Sequence, residues 1–357
     1  MQSESPELSV LSLFAIVSFF IALVVQKIFS KKTNYLLIDQ DYDKPQAFHN
    51  EAIPRCGGLA AIISFTFFLY LDKIFFSYVN GLYFFLPLSM FLIGFADDLK
   101  VKISPNKRLL AMIIFLGIFI NIFSLNIERV DLQFLNYLFE SIIFKTSFVL
   151  ICFLFIVNGS NLIDGFNGLL SLHLIIINFF LLTINLDNNN INFSILLIAQ
   201  IIILTIFLLF NFPKAKIFMG DGGSYFFGSL TSLNIIYSNN LNLQISSFYF
   251  CILLFYLFFE VFFSFFRKLI QNKSPLKPDD LHLHMIIFKY LKINRDSIKS
   301  NYYTSILINL FYFLVVSLMY FFKDNGTFCK LIFFLLPVLY IAIYYKILKK
   351  YQSINEK

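Results

Sequence analysis

Residues 8–29 read LSVLSLFAIVSFFIALVVQKIF, and the first cation in that run is Lys27. A helix rises ~1.5 Å per residue, so ~20 such residues cross the ~30 Å apolar core of a bilayer. The run reads as a membrane span. No basic segment precedes it and no Ala-x-Ala signature follows it, so it is expected to be a retained helix rather than a signal peptide. Working outward, comparable runs fall at about 57–77, 82–96, 108–125, 142–158, 166–185, 194–211, 225–238, 247–266, 303–322 and 328–346. About eleven transmembrane helices are expected, and the fold class is an all-α polytopic membrane protein.

Composition agrees. The 357 residues are 59% hydrophobic and 14% charged, against ~45–50% and ~25% in soluble domains. A soluble fold of this length cannot hide that much apolar surface. With 19 Tyr and no Trp, the interfacial aromatic belt falls to tyrosine. Cys56, Cys152, Cys251 and Cys329 have no paired spacing, which argues against a disulfide framework or a zinc site. The net charge of +7 would suit nucleic acid in a soluble protein. Here the excess of Lys and Arg in cytoplasmic loops explains it, so no nucleic-acid partner is expected.

Those cations set the orientation. The tail before Leu8 has Glu4 and Glu7 and no cation. With alternating spans, all Lys and Arg but Lys73, Arg129, Lys145, Lys323 and Lys330 fall on one side. That side is expected to be cytoplasmic, with the N-terminus periplasmic and the C-terminus cytoplasmic. No repeat and no separate soluble domain stands out. Residues 1–357 read as a single integral-membrane catalytic domain, and 267–302 as a cytoplasmic loop large enough for a small element.

Five polar segments fall on the cation-rich side. Gly94-Phe95-Ala96-Asp97-Asp98-Leu99-Lys100 sets two adjacent carboxylates at a span end, with Lys102, Lys107 and Arg108 following. Carboxylates beside cations suit metal-bound phosphate, although a solvated helix end would look similar. In Asn158-Gly159-Ser160-Asn161-Leu162-Ile163-Asp164-Gly165-Phe166-Asn167-Gly168-Leu169, Asn161, Asp164 and Asn167 recur every three residues. In a helical turn they would share one face; a helix–helix amide seam is the alternative.

Phe218-Met219-Gly220-Asp221-Gly222-Gly223-Ser224 is a Gly-rich loop that would open a helix, exposing N–H groups to an anion, with Asp221 as a hard-cation ligand or a cap. Ser274-Pro275-Leu276-Lys277-Pro278-Asp279-Asp280-Leu281-His282-Leu283-His284 carries two of the four histidines. Two ligands do not make a zinc site, and a protonated imidazole could instead hold phosphate. The fifth segment runs from Asp43-Lys44-Pro45 through His49 to Pro54-Arg55-Cys56-Gly57-Gly58. Arg55 there could grip a phosphate or simply anchor the span. The opposite side carries no comparable cluster: Asp187 sits in an Asn run, and Glu128, Arg129 and Asp131 read as a solvated turn.

In combination the Asp-Asp segment with Ile-Ser-Pro-Asn-Lys-Arg-Leu-Leu, the Asn-Leu-Ile-Asp-Gly-Phe-Asn-Gly-Leu segment and Phe-Met-Gly-Asp-Gly-Gly-Ser resemble the polyprenyl-phosphate N-acetylhexosamine-1-phosphate transferases. The Ser-Pro-Leu-Lys-Pro-Asp-Asp-Leu-His-Leu-His stretch is similar to their sugar-side loop. The resemblance covers roughly residues 35–300. It implies an enzyme in the bacterial inner membrane with a cytoplasmic site. A lipid phosphate attacks the β-phosphorus of a UDP-N-acetyl sugar, releasing UMP and leaving a polyprenyl diphosphate sugar, the first membrane step of an envelope glycan such as O-antigen or lipopolysaccharide. It implies that Asp221 and Asn161 ligate Mg²⁺ and that Asn167 contacts uracil. Asp97 and Asp98 would organise or deprotonate the lipid phosphate, and Asp164 would join the same polar shell. His282, His284, Arg55 and Arg108 would hold phosphate or sugar. A phosphate monoester has a second pKa near ~6 and is already largely a nucleophile at pH 7, so positioning is the expected role of Asp97 and Asp98.

The partners so implied are a UDP-N-acetyl sugar, a polyprenyl (undecaprenyl) phosphate, the membrane and a second copy of the chain in a homodimer. Relatives often read Asp-Arg-x-His-x-His-His where this chain has Asp280 and Met285, and Asp where it has Asn167. Two cations are thereby missing from the sugar-side loop. That bears on the donor and argues against the pentapeptide transferase of peptidoglycan synthesis, the nearest alternative. A transporter would explain many spans but predicts charges within them; Asp72, Lys73 and Lys145 read as lying near span ends. An inactive scaffold is disfavoured by the intact Asp97, Asp98, Asn161 and Asp221.

Overall fold

A computed structural model describes residues 6–30, 37–39, 52–101, 103–275, 277 and 279–355. Among these the helices are α1 (Pro6–Ser30), α2 (Gly57–Phe75), α3 (Leu82–Asp98), α4 (Pro105–Ile122), α5 (Gln133–Leu138), α6 (Ile142–Ile163), α7 (Leu169–Asp187), α8 (Ile191–Asn211), α9 (Gly220–Leu241), α10 (Ser247–Ile270), α11 (Leu283–Lys292), α12 (Ser297–Tyr320) and α13 (Gly326–Asn355). Two short strands, β1 (Ile38–Asp39) and β2 (Ile53–Pro54), pair antiparallel. The chain is an all-α polytopic membrane protein.

Each expected span coincides with a helix, but they are not alike. Nine helices among the described residues are long and apolar enough to cross a membrane. The other two are α3, with only 17 residues, and α9, which carries Ser, Thr and Asn along most of its length. Helix α9 is buried almost throughout and packs against α2, α3, α6 and α7. Surrounded by protein rather than lipid, it can carry polar side chains that find partners inside the bundle. Asn234 Nδ2 donates to Asn178 Oδ1 at 3.1 Å and to Gln200 Oε1 at 2.7 Å. Nearer the other end, Asn185 Nδ2 donates to Ser238 Oγ at 2.8 Å.

Local signals start the helices where the sequence changes character. Pro105 opens α4, where its missing N–H costs nothing. Ser246 caps α10 by accepting from Phe248 N at 3.2 Å, and Asp296 caps α12 by accepting from Lys299 N at 2.7 Å. The decisive contact for function is α3 on α9. A Cβ on Gly94 would lie 2.4 Å from the Asp221 carbonyl oxygen. Only glycine lets the two backbones meet there, which sets the C-terminal end of α3 beside the first turn of α9.

Four sequence expectations change. The stretch 267–302 is not one loop: it holds the end of α10, all of α11 and the start of α12. Residues Asn161, Asp164 and Asn167 do not share a helix face, because α6 ends at Ile163 and Gly168 turns left-handed, with φ 75°, before α7. The turn of Glu128, Arg129 and Asp131 is solvated at Glu128 and Arg129, as expected, but Asp131 is tied down. Asp131 Oδ2 accepts from Ser246 Oγ at 2.6 Å and from Ser247 N at 3.0 Å, and Arg129 donates to the Leu243 carbonyl. A charged residue does lie deep within a span: Glu260 of α10 is fully buried.

Candidate active site

Four of the five polar segments meet around the first turn of α9. Asp98, the last residue of α3, is 3% exposed. Its Oδ1 accepts from Asp221 N at 3.0 Å and its Oδ2 from Gly222 N at 2.8 Å. Gly220 has φ +77°, and a Cβ there would sit 2.6 Å from Asp98 Oδ2. Arg55 Nη1 lies 3.9 Å from Asp98 Oδ1. The Arg55 guanidinium is otherwise held by Asp39, through Nε at 3.0 Å and Nη2 at 2.6 Å. The remainder of that segment, including Asp43, Lys44, Pro45 and His49, lies outside the described residues.

Asp97 points the other way. Its Oδ2 is 2.8 Å from Arg108 Nη1, and the same nitrogen is 3.1 Å from Asp221 Oδ2. The three side chains are between 20% and 33% exposed. One guanidinium nitrogen therefore bridges two carboxylates at the surface of the site, where water and ligand can reach them.

Asn161, in the last turn of α6, donates through Nδ2 to Ser224 Oγ at 3.0 Å. The Ser224 hydroxyl in turn donates to the Asp221 carbonyl at 3.1 Å. Asp164 follows α6 within electrostatic reach of Asp221, Asp98 and Arg55. Asn167 is anchored twice: its N–H donates to Asn301 Oδ1 at 2.9 Å and its Nδ2 to the Pro213 carbonyl at 2.9 Å. Gly168 N donates to Asn211 Oδ1 at 2.7 Å, and Asn211 Nδ2 donates to the Ile217 carbonyl at 2.9 Å. Asn211 thus laces the turn after α6 to the turn before α9.

Crowding of acids shifts their titration. The apolar stretch of α3 ends at Ala96, so Asp97 and Asp98 lie beyond it. Burial pushes the Asp98 carboxyl up to about 7; Asp221 adds to the shift, while the Gly222 and Asp221 N–H groups and Arg55 oppose it. Burial and Asp221 also raise Asp97, against Arg108. Asp164 is raised well above the ordinary range by burial, then by Asp221 and Asp98. Both desolvation and like charge penalise the carboxylate form, so the cluster favours a cationic ligand.

No group of three or more His, Cys, Asp or Glu suited to a metal occurs among the described residues. Magnesium does not need one: it keeps several waters and takes one or two carboxylates plus substrate phosphates. Asp221, Asp97 and the Asn161 amide oxygen are hard oxygen donors of that kind. The donor set fits Mg²⁺ and does not fit zinc.

The fourth sequence segment forms a separate, buried cluster. His282 Nδ1 is 3.0 Å from Glu260 Oε1, and His282 Nε2 is 3.2 Å from Asp279 Oδ1. Glu260 also accepts from Leu283 N at 3.3 Å and from the Tyr340 hydroxyl at 2.5 Å. Arg267 Nη1 donates to Asp279 Oδ2 at 2.8 Å. Burial would raise Asp279, but Arg267 and His282 hold it below the usual carboxylate range. His284 Nδ1 lies 3.2 Å from the Tyr256 hydroxyl, and burial lowers its imidazole to about 3. His284 is therefore neutral at pH 7, not the cation that a phosphate ligand would call for. Its ring meets Phe166 at 5.6 Å between centroids, which links this cluster to the turn carrying Asp164 and Asn167.

Sequence reasoning did not single out Ser224, Asp39, Asp279, Asn211 or Asn301. Glu260 stands out in the sequence as a carboxylate where relatives commonly carry Asp, with no role to be read from the sequence; its position in the middle of an apolar span marks it further. The partnership of Asn211 and Asn301 with a distant turn has no local signal.

Comparison with known proteins points the same way. The glycosyl transferase family 4 model matches residues 81–239. That interval contains Asp97, Asp98, Arg108, Asn161, Asp164, Asn167 and Asp221. Over those residues the chain is similar to glycosyl transferase family 4. It is similar to undecaprenyl-phosphate alpha-N-acetylglucosaminyl 1-phosphate transferase of Thermotoga maritima, 27% identical over 76% of this chain and 79% of that relative. It is also similar to phospho-N-acetylmuramoyl-pentapeptide-transferase of Dictyoglomus turgidum, 28% identical over 71% of this chain and 83% of the relative. A probable undecaprenyl-phosphate N-acetylglucosaminyl 1-phosphate transferase of Bacillus subtilis is 28% identical over 68% of both chains. These likenesses support a membrane phosphotransferase enzyme.

Proposed function

We propose that this enzyme transfers N-acetylhexosamine 1-phosphate from a UDP-sugar to a polyprenyl phosphate at the cytoplasmic face of the bacterial inner membrane. The observation that carries this reading is the Asp97–Arg108–Asp221 bridge at the end of the bundle where Lys and Arg collect. A lipid-phosphate oxygen forms a bond to the β-phosphorus. The bond from that phosphorus to the oxygen bridging to the α-phosphorus breaks, and UMP leaves with that oxygen.

The main obstacle is electrostatic, since two phosphate anions must meet. A bound Mg²⁺ would neutralise charge on the diphosphate; Asp221, Asn161 and Asp97 are the residues that would hold it. Arg108 and Arg55 add fixed positive charge beside the phosphates. Asn167 stands in the turn after α6, where the nucleobase would lie, and the buried His282 and His284 would act on the sugar side only through that turn, which His284 meets at Phe166. Asp97 and Arg108 orient the acceptor phosphate, which needs no strong base at pH 7.

The product suits the start of an envelope glycan such as O-antigen or lipopolysaccharide. The pentapeptide-transferase reading has one relative in its favour. Two features weigh against it: Met285 is buried in the core, and Asp280 is neutralised by Lys289 at 2.5 Å. The test is UMP release by purified protein with polyprenyl phosphate, Mg²⁺ and a panel of donors. Release with UDP-N-acetylglucosamine or a 6-deoxy N-acetylhexosamine donor supports the reading. Turnover only with the muramoyl-pentapeptide donor overturns it.

A further inference from the structure

The adjacent carboxylates Asp97 and Asp98 have different partners, and this separates their work. Asp98 has both oxygens occupied by backbone N–H groups of α9, at 3.0 and 2.8 Å. A carboxylate at a helix N-terminus satisfies amides that have no partner within the helix, and it meets the positive end of the helix dipole. Usually the cap comes from the residue preceding the helix. Here that residue is Met219, which makes no side-chain cap bond. The cap arrives instead from α3, more than a hundred residues away in sequence. Gly220 leaves the space it needs, since a Cβ there would stand within 3 Å of all three atoms of the carboxyl group.

We infer that Asp98 is a positioning residue: it caps α9 from another helix and sets the first turn, which carries Asp221 and Ser224, and it does not touch the acceptor phosphate. Asp97 alone of the pair faces substrate. Asp98 fixes where the Asp221 side chain starts, and through Ser224 it also fixes the partner of Asn161. The inference deepens the proposed reaction and rests on it for the role of Asp221, whereas the cap is testable without any substrate.

Hydrogen–deuterium exchange on the full-length protein in detergent reads the cap directly. Asp98→Asn turns an NH₂ group toward one of the two amides and removes one acceptor. Losing such a cap is expected to speed exchange at Asp221 and Gly222 by roughly tenfold, while Asp97→Asn leaves those amides unchanged. Gly220→Ala should reproduce the faster exchange by pushing the carboxylate away. Combining it with Asp98→Ala should give less than the product of the two effects, because the added methyl then has room.

In turnover, Asp98→Asn should raise half-saturating Mg²⁺ about tenfold and lower kcat, with KM for polyprenyl phosphate and the acid limb of the pH–rate profile retained. General loss of folded protein would lower kcat without moving half-saturating Mg²⁺. Unchanged exchange in Asp98→Asn overturns the inference, as does a raised acceptor KM with Mg²⁺ dependence intact. If Asp98→Asn does not fold, Gly220→Ala and its coupling to Asp98→Ala decide. If no donor turns over, the exchange result still decides the cap, so failure of the reaction and failure of the cap are told apart.

Discussion

Two charged clusters lie at the same end of the bundle and are built on opposite principles. Around Asp97, Arg108 and Asp221 the ions are partly exposed, and one guanidinium nitrogen serves two carboxylates. Around Glu260 and His282 the side chains are sealed, with Asp279 at the rim and Glu260 accepting from an imidazole, a backbone N–H and a tyrosine hydroxyl. The first arrangement leaves charge available to an incoming ligand. The second uses its charge to tie α10, α11 and α13 together. A partly exposed pair contributes little stability, whereas breaking a buried one strands its partners without water. Removing a side chain should therefore cost activity in the first cluster and stability in the second.

The largest effect is expected from Glu260→Ala. It leaves His282 Nδ1, the Tyr340 hydroxyl and the Leu283 N–H without their acceptor, at about 3–5 kcal/mol. Thermal unfolding in detergent should show a clear fall in midpoint. A midpoint equal to that of the parent would mean that the second cluster is not a structural tie.

Asp221→Ala comes next. Mg²⁺-dependent UMP release should fall ~100- to 1,000-fold with little change in unfolding midpoint. A large drop in midpoint would erase the contrast between the clusters. Arg108→Gln removes the bridging guanidinium and should lower kcat/KM by ~10- to 100-fold, in line with the loss of hydrogen bonds to charged groups. Raised ionic strength should reduce the parent's activity toward that of the variant if the guanidinium acts on substrate charge.

The smallest effect concerns pH. Burial lowers His284 to about 3 in the folded protein, against ~6.5 in an unfolded chain. Below pH 6.5 the unfolded state takes up a proton that the folded state refuses. The stability contributed by the neutral ring is present above that pH and is lost as pH falls toward 3, by ~1.4 kcal/mol per unit. Asp98 and Asp164, whose folded values are raised, change in the opposite sense, favouring the fold as pH falls. The informative quantity is therefore the difference between proteins: between pH 7.5 and 5.5 the midpoint of His284→Gln should fall less than that of the parent. Equal falls would show that the ring accepts a proton without cost and that the second cluster is more open than its burial implies.

The spans were legible because lipid exposure demands ~20 apolar residues in a row, and residues 8–29 satisfy that without any knowledge of neighbours. Helix α9 was found at the same time, but its Asn and Ser content made sense only once protein enclosed it. The polar motifs were legible as well, because Asp, Asn and Gly in short clusters stand out against a chain that is 59% hydrophobic. What those motifs touch was not legible. Asn161, Asp164 and Asn167 suggested one helix face, yet the turn after Ile163 sends them to different partners.

By itself, then, the sequence determined that the chain is a multi-helix membrane protein, which segments are polar, and which family they resemble. These depend on composition and short-range order. Only the tertiary structure decided that adjacent Asp97 and Asp98 part company, one toward Arg108 and the other into the N-terminus of α9. That division depends on how closely α3 and α9 approach at Gly94, a contact between segments more than a hundred residues apart, for which no local pattern exists.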